Sequence, residues 1–280
     1  MVASIPFSVE SYDIATTLGR VRVRSTGAGP AMMFWSSLLM NGSMWHAQAA
    51  YFGGRFRVLL VDPPGHGESQ ALSRAFTFEE CAVCIVQILD ALNISKTHFI
   101  GNSWGGMIGG TFAANYPNRV ETSVLMNCTA SAARMRQKVE YLLVITLMRL
   151  LGRIPLPLAV SSARAFVGPT TERERPDVVS TIRKTLLRVD GRSVYWAIKS
   201  VVPDRPDQHE LIAKIKTPVL VIAGAEDRTF PVEETHAMAA AIPRAEFKVL
   251  PGVAHLAGLE CPSEINTMID VFLTTHATGA

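Results

Sequence analysis

Apolar runs recur along the chain, each followed by a polar or glycine-rich stretch and then by residues with helical spacing. Phe7 to Thr16 and Arg20 to Arg24 alternate apolar and polar positions about Leu18-Gly19, which predicts an antiparallel hairpin. Ala31 to Trp35, Arg57 to Val61 and the run ending at Phe99-Ile100 are continuous apolar stretches, the pattern of interior strands covered on both faces, and Val120 to Met126 reads as a further apolar strand. Phe78 to Leu92 has amphipathic spacing, with Thr77 as N-cap and Glu79-Glu80 in its first turn, and a further helix extends to about Tyr116-Pro117. From Thr129 to about His209 the chain reads as helical and basic, without a convincing strand. Alternation then resumes with strand Pro218 to Ala223, helix Val232 to Ala241, strand Glu246 to Leu250 and helix Ser263 to Leu273. The pattern predicts an α/β fold, a mostly parallel sheet flanked by helices. Its core spans residues 1–128 and 210–280, and an α-helical cap is inserted at 129–209.

Composition adds a constraint. With 48% hydrophobic and 18% charged residues, the chain is apolar for its class, and the excess calls for a recessed pocket or a partner surface. A net charge of +3 gives no general case for nucleic-acid binding. Residues 129–205 hold 14 Lys and Arg against 6 Asp and Glu, while the remainder holds 13 against 18. A solvated helical surface complementing an acidic core is the expected reading of that asymmetry, with steering of anionic substrates as the alternative. Cys81, Cys84, Cys128 and Cys261 are too few and too scattered for a disulfide framework, and Cys81 and Cys84 fall on an amphipathic helix as buried thiols rather than a metal or redox pair. Tyr141 to Leu151 is too short to span a membrane and is interrupted by Arg149. The first residues lack the basic and apolar regions of a signal peptide, so the cytoplasm is the expected compartment.

Chemistry centres on Thr97 to Gly110, THFIGNSWGGMIGG, which reads as strand, sharp turn and helix: a G-x-S-x-G nucleophile elbow presenting Ser103. The helix N-terminus behind such a serine favours negative charge developing on a substrate beside it. A serine hydroxyl needs a base, and the base needs an orienting carboxylate. Asp227, with Glu226 as its competitor, follows the strand that ends at Ala223, and His255 lies in the loop after Leu250. Loops at the carboxyl ends of parallel strands share one edge, so Ser103, Asp227 and His255 can converge. The other sheet position suited to the acid holds Asn127-Cys128, which carries no carboxylate.

Together, Asp62-Pro-Pro-Gly65-His-Gly67-Glu-Ser69, the GNSWGG elbow, GAED ending at Asp227 and GVAH ending at His255 resemble the α/β-hydrolase superfamily over essentially the whole chain. Ser36 to Trp45, VIAGAEDRTFP and LPGVAHLAGLECP look most like the enzymes that open 3-oxoadipate enol-lactone. Where those enzymes commonly show Ser-Leu-Gly, this chain has Ser37-Leu38-Leu39, and the more widespread His-Gly is absent. The resemblance implies an oxyanion hole from the backbone N–H groups of Leu38 and Trp104. It also implies a pocket that includes Ser37, Leu39, Trp104 and Leu256. The expected enzyme is a serine hydrolase of a small ester or lactone with apolar bulk. It forms an acyl-enzyme, needs no cofactor or metal, and is a monomer or homodimer. A C–C bond hydrolase with cap residues such as Arg134, Arg136 or Arg164 holding a dienoate, a cofactor-free perhydrolase, and an idle ligand receptor remain open.

Overall fold

The computed structural model describes residues 5–276, so the expectations for the extreme N- and C-termini, including part of the stretch read for a signal peptide, lie outside the described residues. Strands β1 (Val9–Thr16) and β2 (Gly19–Thr26) form the hairpin. They are followed by β3 (Ala31–Trp35), β4 (Arg57–Val61), β5 (Thr97–Asn102), β6 (Val120–Met126), β7 (Val219–Gly224) and β8 (Ala245–Leu250). All join one sheet in the order β1-β2-β4-β3-β5-β6-β7-β8. The β1–β2 and β2–β4 pairings are antiparallel and the rest are parallel, so the loops leaving β3 to β8 open on one edge.

The interior strands are mostly apolar because each face has its own core. In β3, Met33 and Trp35 enter one core and Met32 and Phe34 the other. The first core is covered by α2 (Phe78–Ala91) and α3 (Trp104–Asn115), the second by α1 (His46–Phe52) and α12 (Pro262–His276). Thr77 caps α2 through a reciprocal bond pair with Glu80. The apolar pattern did not reveal α1. It is short, has no side-chain N-cap bond, and follows a 3₁₀ turn at Gly42–Trp45.

Between β6 and β7 lie α4 (Met135–Leu151), α5 (Leu156–Phe166), α6 (Pro169–Glu174), α7 (Pro176–Leu187), α8 (Gly191–Val201) and the short α9 (His209–Ile212). Helix α4 packs on α8, and α5 on α7. Arg149, which interrupts the apolar run of α4, lies 4.7 Å from the Tyr195 ring centre and 4.9 Å from that of Trp196, so a cation–π cluster accommodates it. Part of the apolar surplus surfaces here, where Leu143, Leu147 and Leu150 are exposed. Among the described residues no helix is long and apolar enough to cross a membrane. All four cysteines are free and buried, and burial pushes the Cys84 and Cys261 thiols up to about 12. Helix α10 (Val232–Ala240) links β7 to β8, and α11 (Ala257–Glu260) follows β8.

Candidate active site

Strand β5 ends at Asn102 and α3 begins at Trp104, leaving Ser103 alone in the turn with φ 56° and ψ −114°. This backbone is costly for a residue with a side chain, and the surroundings enforce it. A Cβ on Gly101 would meet the Gly105 carbonyl at 2.2 Å, and one on Gly105 would meet the Trp35 oxygen at 2.3 Å. The Ser103 N–H donates to the Met126 carbonyl at 2.8 Å, tying the turn to the neighbouring strand.

His255 Nε2 lies 2.9 Å from Ser103 Oγ, and His255 Nδ1 lies 2.9 Å from Asp227 Oδ2. All three residues are buried. The second oxygen of Asp227 accepts the N–H groups of Thr229 at 2.8 Å and Phe230 at 3.1 Å. A carboxylate held this way accepts a hydrogen bond from Nδ1–H, which keeps the proton on Nδ1 and leaves Nε2 to accept from the serine. The imidazole is stacked against Phe166, with ring centres 5.5 Å apart, and tilted against Phe230 at 5.6 Å. Glu226, the competing acid, points elsewhere: its carboxylate accepts the backbone N–H and hydroxyl of Thr170 at the start of α6.

Three braces hold this line, a role the sequence did not assign to any of them. Glu260 is buried and grips the peptide on both sides of His255, accepting the N–H of Ala254 at 3.1 Å and of Leu256 at 2.9 Å, together with the Thr171 hydroxyl. Burial raises its pKa, while these donors oppose the rise. Asn127 donates to Asp227 Oδ2 at 3.1 Å and to the Ala254 carbonyl at 2.8 Å. Asn102 donates to Ser37 Oγ at 2.9 Å and to the His255 carbonyl at 2.8 Å. A carboxylate five residues after the loop histidine was the one available signal for Glu260.

The loop after β3 is held by the DPPGHGES segment. Asp62 accepts the N–H groups of Gly42 at 2.8 Å and Glu68 at 2.9 Å and pairs with Arg24 at 3.1 Å. His66 faces the Pro64 carbonyl through Nδ1 at 3.0 Å and accepts the Leu39 N–H on Nε2 at 3.0 Å. Burial drives the His66 pKa down to about 4, so the ring is neutral with its proton on Nδ1. Leu39 itself has φ 67°. The backbone N–H groups of Leu38 and Trp104 have no partner among the described residues.

A cavity of about 330 Å³ opens over Ser103 and His255, walled by Leu38 and Leu39 and by apolar residues of α4, α5 and α8. The other side chains expected in the pocket are directed elsewhere. Ser37 bonds to Asn102, Trp104 is packed against Trp35, His66 and Phe76 beneath the turn, and Leu256 is fully buried in the second core. None of the three lines the cavity. Among the described residues there is no group of three or more His, Cys, Asp or Glu that could hold a metal ion.

Residues 30–262 match the family model of the alpha/beta hydrolase fold. The chain belongs to that family. Among α/β-hydrolases it is similar to the 3-oxoadipate enol-lactonase 2 of Acinetobacter baylyi, 27% identical over 87% of this chain and 88% of that protein. It is also similar to a 2-hydroxy-6-oxononadienedioate/2-hydroxy-6-oxononatrienedioate hydrolase of Paraburkholderia phymatum, 27% identical over 88% of this chain and 84% of that one. Among solved α/β-hydrolase structures, a malate-bound thermophilic esterase from Thermogutta terrifontis superposes with a TM-score of 0.89 at 28% identity, covering 96% of this chain and 100% of that one.

Proposed function

We propose that this α/β-hydrolase opens a carboxylic ester or lactone through an acyl-enzyme formed on Ser103. The observation that carries the reading is the unbroken hydrogen-bonded line from Asp227 through His255 to Ser103. His255 Nε2 takes the serine proton as Oγ attacks the acyl carbon, Asp227 stabilises the resulting imidazolium, and the same imidazolium protonates the leaving alcohol. Water activated by His255 then clears the acyl group. The unpaired N–H groups of Leu38 and Trp104 receive the carbonyl oxygen as it gains charge, a contribution of about 3–4 kcal/mol for one such donor. The apolar cavity suits a small substrate with apolar bulk, and residues 129–209 act as the cap that closes over it. The mechanism uses only these side chains, backbone donors and water.

The membership and relatives make this a hydrolytic enzyme acting on ester bonds. A second reading, cleavage of a C–C bond in a ring-fission product, is favoured by the Paraburkholderia relative and by a like-named protein of Burkholderia vietnamiensis. The deciding experiment is active-site labelling with a fluorophosphonate probe, followed by turnover of a panel of lactones, short p-nitrophenyl esters and dienoates. Label on Ser103 with ester or lactone turnover, both lost in Ser103→Ala, supports the proposal. A wild-type enzyme that turns over only dienoates supports the second reading, and an unlabelled Ser103 removes both.

A further inference from the structure

Arg205 is 5% exposed, yet it lines the cavity that contains Ser103 and His255. Its Nε–H donates to the Ser131 carbonyl at 2.8 Å, and its two terminal nitrogens have no protein partner among the described residues. The guanidinium carbon lies 5.5 Å from the ring centre of Phe230, the ring that also packs on His255. One aromatic ring therefore connects this cation to the catalytic imidazole.

Charge counting isolates Arg205 further. Arg134, Arg136 and Arg205 share a neighbouring recess with Glu140 and Glu234. Glu140 pairs with Arg136 at 2.8 Å. Glu234 accepts the hydroxyls of Thr129 and Ser131 and pairs with Arg134 at 3.7 Å. Both acids contact exposed arginines, while the buried Arg205 makes no salt bridge among the described residues and has Glu234 only as a neighbouring charge. Desolvation lowers its pKa, and the neighbouring Glu234 and Tyr141 oppose that drop without reversing it. Buried charges are ordinarily paired. Arg134, Arg136 and Arg164 are exposed, so the sequence's candidates for holding an anion are not the ones beside the nucleophile.

Building on the hydrolase reading above, we propose that Arg205 receives a carboxylate carried by the substrate, at a position remote from the acyl carbon that Ser103 attacks. The preferred substrate is then an ester or lactone bearing a second, acidic group. A planar guanidinium with both terminal nitrogens free offers the two parallel donors that a carboxylate accepts. The apolar walls contributed by Ile145, Met148, Ile198 and Val201 exclude water and strengthen that pairing. A neutral analogue leaves the cation unpaired, and this is a source of selectivity.

The test compares 4-nitrophenyl half-esters of adipic and suberic acid with the same esters carrying a distal carboxamide. Wild type is expected to favour the acids in kcat/KM by at least about tenfold, the scale of one charged hydrogen bond. Arg205→Met should bring the ratio close to one, and Arg205→Lys should restore part of it. Equal use of acid and amide by wild type, or a preference that survives Arg205→Met, overturns the proposal. Calorimetric titration with adipate and adipamide reads the same site without any turnover. Adipate binding by wild type that exceeds adipamide binding and weakens with added salt supports it, and equal binding overturns it. Calorimetry therefore judges the anion site even if Ser103 proves unreactive, and an unreactive Ser103 with adipate bound would reject the hydrolase reading alone.

Discussion

The backbone N–H of Leu39 donates to Nε2 of His66 at 3.0 Å while Leu39 holds φ 67°, a left-handed conformation usually given to glycine. The strain of a leucine in that conformation, on the order of 1–2 kcal/mol, is offset by that bond. The bond exists only while His66 is neutral, because protonation would set one N–H against another.

Acid should therefore destabilise the fold through His66. Its pKa lies near 4 when folded, below the ordinary value of 6.5, so the unfolded chain takes up the proton first as pH falls. The stability conferred by the neutral ring is complete above about pH 6.5 and is lost progressively towards pH 4, by about 3 kcal/mol over that window. Urea unfolding at a series of pH values should show this decline in wild type and a flatter one in His66→Phe. Parallel pH profiles for the two proteins would remove His66 as the cause.

The choice between adjacent acids can be read from kinetics. Asp227→Asn should lower kcat on short p-nitrophenyl esters by about 10³ to 10⁴-fold, since an amide opposite Nδ1 favours the wrong tautomer. Glu226→Gln should leave kcat within about twofold, because Glu226 serves Thr170. A larger loss at position 226 would reverse the assignment.

Asn127 occupies the alternative acid position and reaches the same carboxylate from the neighbouring strand. In Asn127→Asp the new carboxyl group would face Asp227 across a 3.1 Å contact, and two such groups resist sharing full charge. The acidic limb of the kcat–pH profile is expected to move upward by at least about one pH unit, with kcat at pH 7 reduced. An unchanged profile would show that Asn127 contributes nothing to the state of Asp227.

Glu260 fixes the peptide groups that flank His255, so its effect should exceed that of an ordinary buried polar residue. Glu260→Gln places an amide NH₂ where a backbone N–H must be accepted, costing about 1–3 kcal/mol in stability. It should also reduce kcat about tenfold or more, with KM little changed. Differential scanning calorimetry and steady-state kinetics on one preparation would separate the two, and a stability loss without any loss of kcat would make Glu260 purely structural.

The apolar runs were sufficient to place β3, β4 and β6 at their observed bounds, because strands with a core on each face are built mostly from apolar residues. The elbow was legible for a similarly local reason: Gly101 and Gly105 are demanded by contacts within the turn and with the strand beside it. Chain order and the shared sheet edge were enough to nominate Ser103, Asp227 and His255 as neighbours. What lay beyond reach was direction. The sequence places Trp104 next to the nucleophile, but only packing against Trp35 and Phe76 turns its ring under the turn and away from the cavity. It likewise counts the basic residues of the inserted helices without saying which meet a carboxylate, and tertiary pairing alone leaves Arg205 unmatched beside the nucleophile. Local rules of backbone and burial act over a few residues and are written in the chain itself. Side-chain orientation and charge pairing depend on partners as far apart as Asp227 and Asn127, or Arg205 and Phe230, and become definite only when the fold brings them together.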